Sequence, residues 1–245
     1  MKLIITPDYD ELSRRGAALM ADLIASKPDA AVILATGETP MGMYRELAAI
    51  RQRSGLDTSR LRVFQLDAYL GLGPDDPRSL YGWMKRSFLD PMQIPDTNVV
   101  RLPGDAPDPR AVCAAYEQAV EAAGGIDLSV LGLGPNGHLG FNEPPAEPRS
   151  PSRVIDLTEE SIESNARYWG GRDRVPRQAL TAGMSVLLAS RHVLLVASGE
   201  RKAGILQRAL QGPVTPQVPA SYLQQAPRLT VIADQDAAAL LRRYS

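Results

Sequence analysis

The chain has 245 residues, with 27 basic and 28 acidic side chains and a net charge of -1. That length can bury a sizeable core in one domain, and the balanced charge argues against a broad nucleic-acid footprint, which needs a basic surplus or stripe. No apolar run reaches the ~18 residues of a membrane span, and the N-terminal apolar run is too short for a signal peptide.

These features point to a soluble cytoplasmic protein. Its single cysteine, Cys113, allows no internal disulfide and lies in a helical pattern, so it is read as a packed thiol rather than a nucleophile.

In chain order, Lys2 to Ile5 reads as a short buried strand and Pro7 to Ser26 as a helix. Ala30 to Ala35 is a continuous apolar run, as expected of a parallel strand covered on both faces. A turn follows at Thr36 to Pro40, then a helix from about Met41 to Arg53. Leu61 to Leu66 is a strand that ends at Asp67. Ser79 to Leu89 reads as helix, Val99 to Leu102 as strand, and Asp108 to Ala123 as a helix with alanine on its buried side.

Ile126 to Leu133 is the next strand, and it breaks into a glycine-rich turn that carries Asn136, His138, Asn142 and Glu143. Residues 144–153 hold too many prolines for a helix. Thr158 to Tyr168 reads as a helix with Thr158 as its cap, and Ala179 to Leu188 fits either a strand or a short helix. His192 to Ala197 is a strand, Lys202 to Leu210 a helix, Pro219 to Gln224 a helical turn, Leu229 to Ala233 a strand and Ala237 to Arg243 a terminal helix. Such alternation predicts an α/β fold, a parallel sheet between helical layers with right-handed crossovers. One domain over residues 1–245 is expected, with 144–177 as a mobile flap.

Several features could carry chemistry. Gly132, Gly134 and Gly137 match G-x-G-x-x-G, with Asp156 near the spacing of a ribose-binding acid. A dinucleotide site requires the third glycine to open a helix, whereas Asn136-Gly137 is a turn pair and Pro144-Pro145 soon follows. Scattered His and Cys give no metal-site spacing, so neither a metal nor an organic cofactor is expected. The turn Thr36-Gly37-Glu38-Thr39 ends a strand and opens a helix, which suits either a phosphate or an ordinary threonine cap. Glu38 would repel a phosphate unless it points away. Asp67 is either a cap or a base at the sheet edge.

His138, five residues before Glu143, can be held in one tautomer and tuned for proton transfer, whereas His192 reads as structural. Arg167 and Lys202 are each a solvated charge, or together a phosphate clamp. The Thr36 turn, Asp67, His138 and Lys202 all follow predicted strands. In a parallel sheet those ends share one edge, where ligands bind.

The segments LATGETP, FQLDAYLGL, LGLGPNGHLGFNEP, SNARYW, ALTAGMSVLLASRHVLLVASGERKA and PASYLQQAPRLTVIADQDAA carry a resemblance that runs nearly end to end. The chain resembles glucosamine-6-phosphate deaminases, grouped with 6-phosphogluconolactonases and ribose-5-phosphate isomerases. The resemblance implies a three-layer αβα sandwich with a mostly parallel, Rossmann-like sheet. It implies a small sugar phosphate as partner, with no nucleic acid or membrane, and leaves self-association open. Its activity would be conversion of D-glucosamine 6-phosphate to fructose 6-phosphate and ammonia. In these roles His138 opens the ring, Glu143 and Asn136 orient or assist it, and Asp67 moves a proton from C2 to C1. The Thr36–Thr39 turn, Arg167 and Lys202 would hold the phosphate.

Three positions depart from the family pattern. Asn136 stands where many members have aspartate, Ala68 where a glutamate often follows the base, and Glu38 where glycine is common. Ile155 stands where effector-activated members carry a basic residue, so activation by N-acetylglucosamine 6-phosphate is not expected. Two other readings stand beside this one. A lactonase, or a deaminase of another amino-sugar phosphate, is the nearer; lactonases of the group lack Asn-Glu-Pro after the histidine. A sugar-phosphate sensor is of another class, and would need a DNA-binding module for which no segment is spare.

Overall fold

In a computed structural model the described residues are 1–242. Ten strands occur in chain order: β1 (Lys2–Thr6), β2 (Ala31–Leu34), β3 (Arg62–Gln65), β4 (Asp67–Tyr69), β5 (Val99–Val100), β6 (Leu128–Leu131), β7 (Arg153–Asp156), β8 (Gln178–Thr181), β9 (Val193–Ala197) and β10 (Leu229–Asp234). The α-helices are α1 (Tyr9–Ser26), α2 (Glu38–Ser54), α3 (Leu80–Met84), α4 (Pro109–Ala122), α5 (Glu159–Trp169), α6 (Met184–Leu188) and α7 (Ala203–Gln211).

Seven strands pair in the order β1-β10-β9-β6-β2-β3-β5, every pair parallel. Successive side chains of a strand leave opposite faces. In β2, Ala31 and Ile33 join one core layer and Val32 and Leu34 the other. Leu12, Met20 and Ile24 of α1 and Met43, Tyr44 and Leu47 of α2 fill the second layer. Cys113 and Tyr116 of α4, Met184 and Leu187 of α6 and Leu206 of α7 fill the first. The result is the expected three-layer αβα sandwich.

A second sheet, antiparallel in the order β4-β8-β7, lies outside this frame. Tyr69, Phe141, Leu157, Ile162, Trp169 and Val175 form its own apolar cluster with α5. Neither β4 nor β7 is expected from sequence, because runs of three and four residues carry almost no period. Their pairing to β8 is set by tertiary contact. The ambiguous stretch 179–188 is both of its alternatives in turn, β8 and then α6.

Other expectations need correction. β1 is an edge strand rather than a buried one: it has a single neighbour, and Leu3 and Ile5 are 36% and 46% exposed. In α4 it is Cys113 and Tyr116 that are buried, while Ala111, Ala114 and Ala115 face outward. The helix expected over 79–89 is the short α3 followed by a π turn at Lys85–Leu89. Residues 235–240 form turns instead of a terminal helix, and Arg243 lies outside the described residues. The side chains of Gln207 and Gln211 donate to the carbonyls of Leu240 and Arg242, which replaces helical pairing there.

Candidate active site

Between β2 and β6 the strand order changes direction: the chain runs from β2 outward to β3 and β5, then returns to β6 on the other side. In open α/β sheets the ligand crevice lies at such a switch point, here the carboxyl ends of β2 and β6. The Thr36 turn follows β2, Asp67 follows β3, His138 follows β6 and Lys202 follows β9. These are four consecutive strands of the sheet, so the four features line one stretch of one edge.

Asp67 opens β4 and is 8% exposed. Among the described residues no hydrogen bond is made to its carboxylate. Burial therefore pushes the carboxyl up to about 7. Its backbone pairs with Thr181 of β8. The Thr181 hydroxyl in turn accepts from Phe141 N (3.2 Å) and Asn142 Nδ2 (3.4 Å), which belong to the glycine-rich turn. A Cβ on Gly140 would lie 3.1 Å from both Leu66 Cγ and Thr181 Oγ1. The turn bearing His138 is thus packed directly on the residues beside Asp67.

In that turn His138 Nδ1 lies 3.3 Å from Glu143 Oε2, which also accepts from Asn136 Nδ2 at 3.0 Å. Asn136 Oδ1 accepts the backbone N–H of His138 at 3.2 Å. Thr158, the N-cap of α5, donates to the same Glu143 oxygen at 3.2 Å, and the Ser161 hydroxyl is 3.3 Å from His138 Nδ1. Burial pushes the Glu143 carboxyl up, but its bonds with His138, Ser161 and Asn136 outweigh burial and hold it below the usual carboxylate range. Its Oε1 is buried without a partner among the described residues. Gly134 lies flat against the ring: a Cβ there would fall 2.2 Å from His138 Nε2. The third glycine of the G-x-G-x-x-G pattern, Gly137, has φ 88° and sits in the turn, not at the start of a helix.

At the other end of the crevice α2 begins at Glu38, three residues earlier than expected, so Thr39 and Pro40 lie in its first turn. Gly37 makes this early start feasible, since its φ of 126° is open to glycine and strained for other residues. Among the described residues no side chain caps α2, which leaves its first N–H groups open to an anion. Thr36 and Thr39 are half-buried, while Glu38 is exposed. Glu38 does not point away from the clamp; its carboxylate accepts from Arg167 Nη2 at 3.0 Å. Lys202 Nζ donates to Leu133 O at 2.6 Å, and burial and then the Arg167 charge lower its ammonium from the ordinary value. Two cations thus converge near the uncapped helix end.

Asp234 braces this side: it accepts from Ser198 Oγ and from Gly199 N, at the turn that leads to Lys202. Sequence reasoning did not find Asp234, Thr158 as a Glu143 ligand, Thr181 or Ser161. Their hydroxyl and carboxyl groups are common surface chemistry, and only the fold aims them. His192 is structural as expected, bonded to Thr230 at 2.9 Å, with its imidazole lowered to about 4 by burial. Cys113 is a packed thiol, pushed up to about 11 by burial.

Residues 9–232 match the family described as glucosamine-6-phosphate isomerases/6-phosphogluconolactonase. A glucosamine-6-phosphate deaminase of Halothermothrix orenii is 42% identical over 241 residues, covering 98% of this chain and 100% of that one. A monomeric glucosamine-6-phosphate deaminase of known structure superposes with a TM-score of 0.95 at 39% identity, covering 98% of this chain and 100% of that one. A 6-phosphogluconolactonase from Trypanosoma cruzi shares the fold at a TM-score of 0.77, with 20% identity and coverage of 99% and 97%. With its full-length match and its shared architecture, the chain belongs to the glucosamine-6-phosphate isomerase/6-phosphogluconolactonase family.

Proposed function

We propose that the protein deaminates D-glucosamine 6-phosphate, giving fructose 6-phosphate and ammonia. His138 takes the anomeric hydroxyl proton and returns one to the ring oxygen as the C1–O5 bond breaks. Glu143 holds the imidazole, and Asn136 braces both. Asp67 then removes the C2 proton to form an enolamine and delivers it to C1. The resulting C2 imine takes up water and releases ammonia, which leaves the ketone. The phosphate is held by the turn of Thr36, Gly37, Glu38 and Thr39, with Arg167 and Lys202.

One observation carries the reading. A buried carboxylate raised to about 7 shares a sheet edge with a second acid–base group, the His138 imidazole held by Glu143. A proton shift between adjacent carbons needs one base that is poised near neutral pH, and ring opening needs a second, separate acid–base group. The deaminases at about 40% identity over the full chain support the substrate. Among the described residues no helix is long and apolar enough to cross a membrane; a cytoplasmic location is part of the proposal and rests on the phosphorylated substrate. The monomeric relative supports action without self-association. We also infer that residues 144–177 move as a flap over the crevice within a single domain.

Incubation with glucosamine 6-phosphate should yield ammonia and fructose 6-phosphate in equal amounts, and Asp67→Asn should abolish both. Absence of ammonia from any hexosamine 6-phosphate would overturn the assignment.

A further inference from the structure

We propose that Ser161 is a positioning residue for proton transfer at His138, through which the helix α5 takes part in holding the imidazole. The inference rests on the ring-opening role proposed above for His138.

Ser161 is fully buried in the first turn of α5. Its backbone N–H is already bonded by the Thr158 hydroxyl at 3.2 Å, so its own hydroxyl is not needed to cap the helix. That hydroxyl faces the His138–Glu143 pair and nothing else among the described residues. A buried hydroxyl that caps nothing and bonds to no backbone group among the described residues marks a specific polar contact.

The geometry of Nδ1 shows what the contact does. Two oxygens stand at the same distance from it, Glu143 Oε2 and Ser161 Oγ, both at 3.3 Å. That is longer than a tight N–H···O bond, so neither oxygen alone fixes the ring. An ionised carboxylate can only accept, which places the hydrogen on Nδ1, shared between the two oxygens. Ser161 then accepts from Nδ1 and turns its own hydrogen toward the carboxylate. Nε2 is left as the free base, and Gly134 packs against the ring on that side. When Nε2 takes the sugar's proton the ring becomes a cation, and Nδ1–H is already held by a carboxylate and a hydroxyl dipole.

Both ends of α5 thereby touch the crevice. Thr158 and Ser161 reach the acid–base pair at its start, and Arg167, near its end, reaches Glu38 on α2. One short helix spans the ring-opening pair and the phosphate end.

The test compares Ser161→Ala with Ser161→Thr, which keeps the hydroxyl. Ser161→Ala should lower kcat for glucosamine 6-phosphate about tenfold, the worth of one neutral hydrogen bond, and change KM less than about twofold. Ser161→Thr should stay within about threefold of the parent. The second readout needs no turnover. With only two histidines in the chain, nitrogen shifts of labelled protein report the His138 tautomer directly. The parent and Ser161→Thr should hold the hydrogen almost wholly on Nδ1, and Ser161→Ala, left with the 3.3 Å contact to Glu143 alone, should show a larger fraction protonated on Nε2. An unchanged rate or an unchanged tautomer in Ser161→Ala overturns the proposal. So does an equal loss of rate in both variants, which marks packing alone. If the parent releases no ammonia, the deaminase reading fails while the tautomer comparison still decides the role of Ser161.

Discussion

Asp67 is the side chain whose environment departs most from its ordinary one among those that line the crevice. Its carboxyl is raised by burial from 3.8 to about 7. As a base it must be ionised, so kcat/KM should fall about tenfold per pH unit below pH 7. The sign for stability is opposite. A raised folded value means the native state binds the extra proton, so this contribution is present in acid and is lost as pH rises from 3.8 to about 7. Asp67→Asn mimics the neutral acid. It should melt higher than the parent at pH 8, as thermal unfolding would show, while it releases no ammonia. Gly134 gives a steric prediction. An alanine Cβ would lie 2.2 Å from His138 Cδ2 and Nε2, so Gly134→Ala must push the ring aside. Activity should drop at least about a hundredfold, with circular dichroism unchanged. Glu38 offers a smaller effect. Its pair with Arg167 leaves the two side chains 62% and 58% exposed, and such pairs are worth at most about 1 kcal/mol, so Glu38→Gln should lower KM up to about fivefold by freeing the guanidinium for phosphate.

Among the elements that reach the crevice, α5 is lightly held. Only Ser161, Ile162 and Trp169 are buried along its eleven residues. Trp169 packs edge-on to Tyr69 at 5.2 Å, and Tyr168 meets Trp83 at 5.4 Å. An element with so few buried side chains opens at lower free energy than the sheet behind it. Amide exchange over 159–169 should slow markedly when Asp67→Asn is saturated with glucosamine 6-phosphate, and exchange in β6 and β9 should not. Equal protection with and without the sugar phosphate would leave residues 144–177 as a fixed wall. The helix itself was legible in the sequence, cap included: Thr158 accepts from Ser161 N, as an N-cap should. Its partners β4 and β7 were not, because they exist only by pairing with β8.

At the scale of the molecule, the crevice depends on strand order. The carboxyl ends of β9, β6, β2 and β3 are neighbours only because the chain doubles back at β2. The region around β7 bears on regulation. Ile155 packs against the apolar cluster beneath α5, and Arg153 donates to Asn142 Oδ1 at 2.8 Å. In the pocket beside β7 an anionic effector would meet Arg110 and the already engaged Arg153, but also the carboxylates of Glu117 and Asp156. A kinetic titration with N-acetylglucosamine 6-phosphate should therefore show no saturable activation. By itself the sequence determined the parallel αβα class, because apolar runs of strand length alternate with helical periods. It also determined that the Thr36 turn, Asp67, His138 and Lys202 end strands, since strand ends are marked by glycine and polar residues. Pairing order, the second sheet and the aim of individual hydroxyls came from tertiary structure alone. Local periodicity records which face of a segment is buried, but not which distant segment covers it, and so Ser161 and Thr181 stayed silent until the chain was folded.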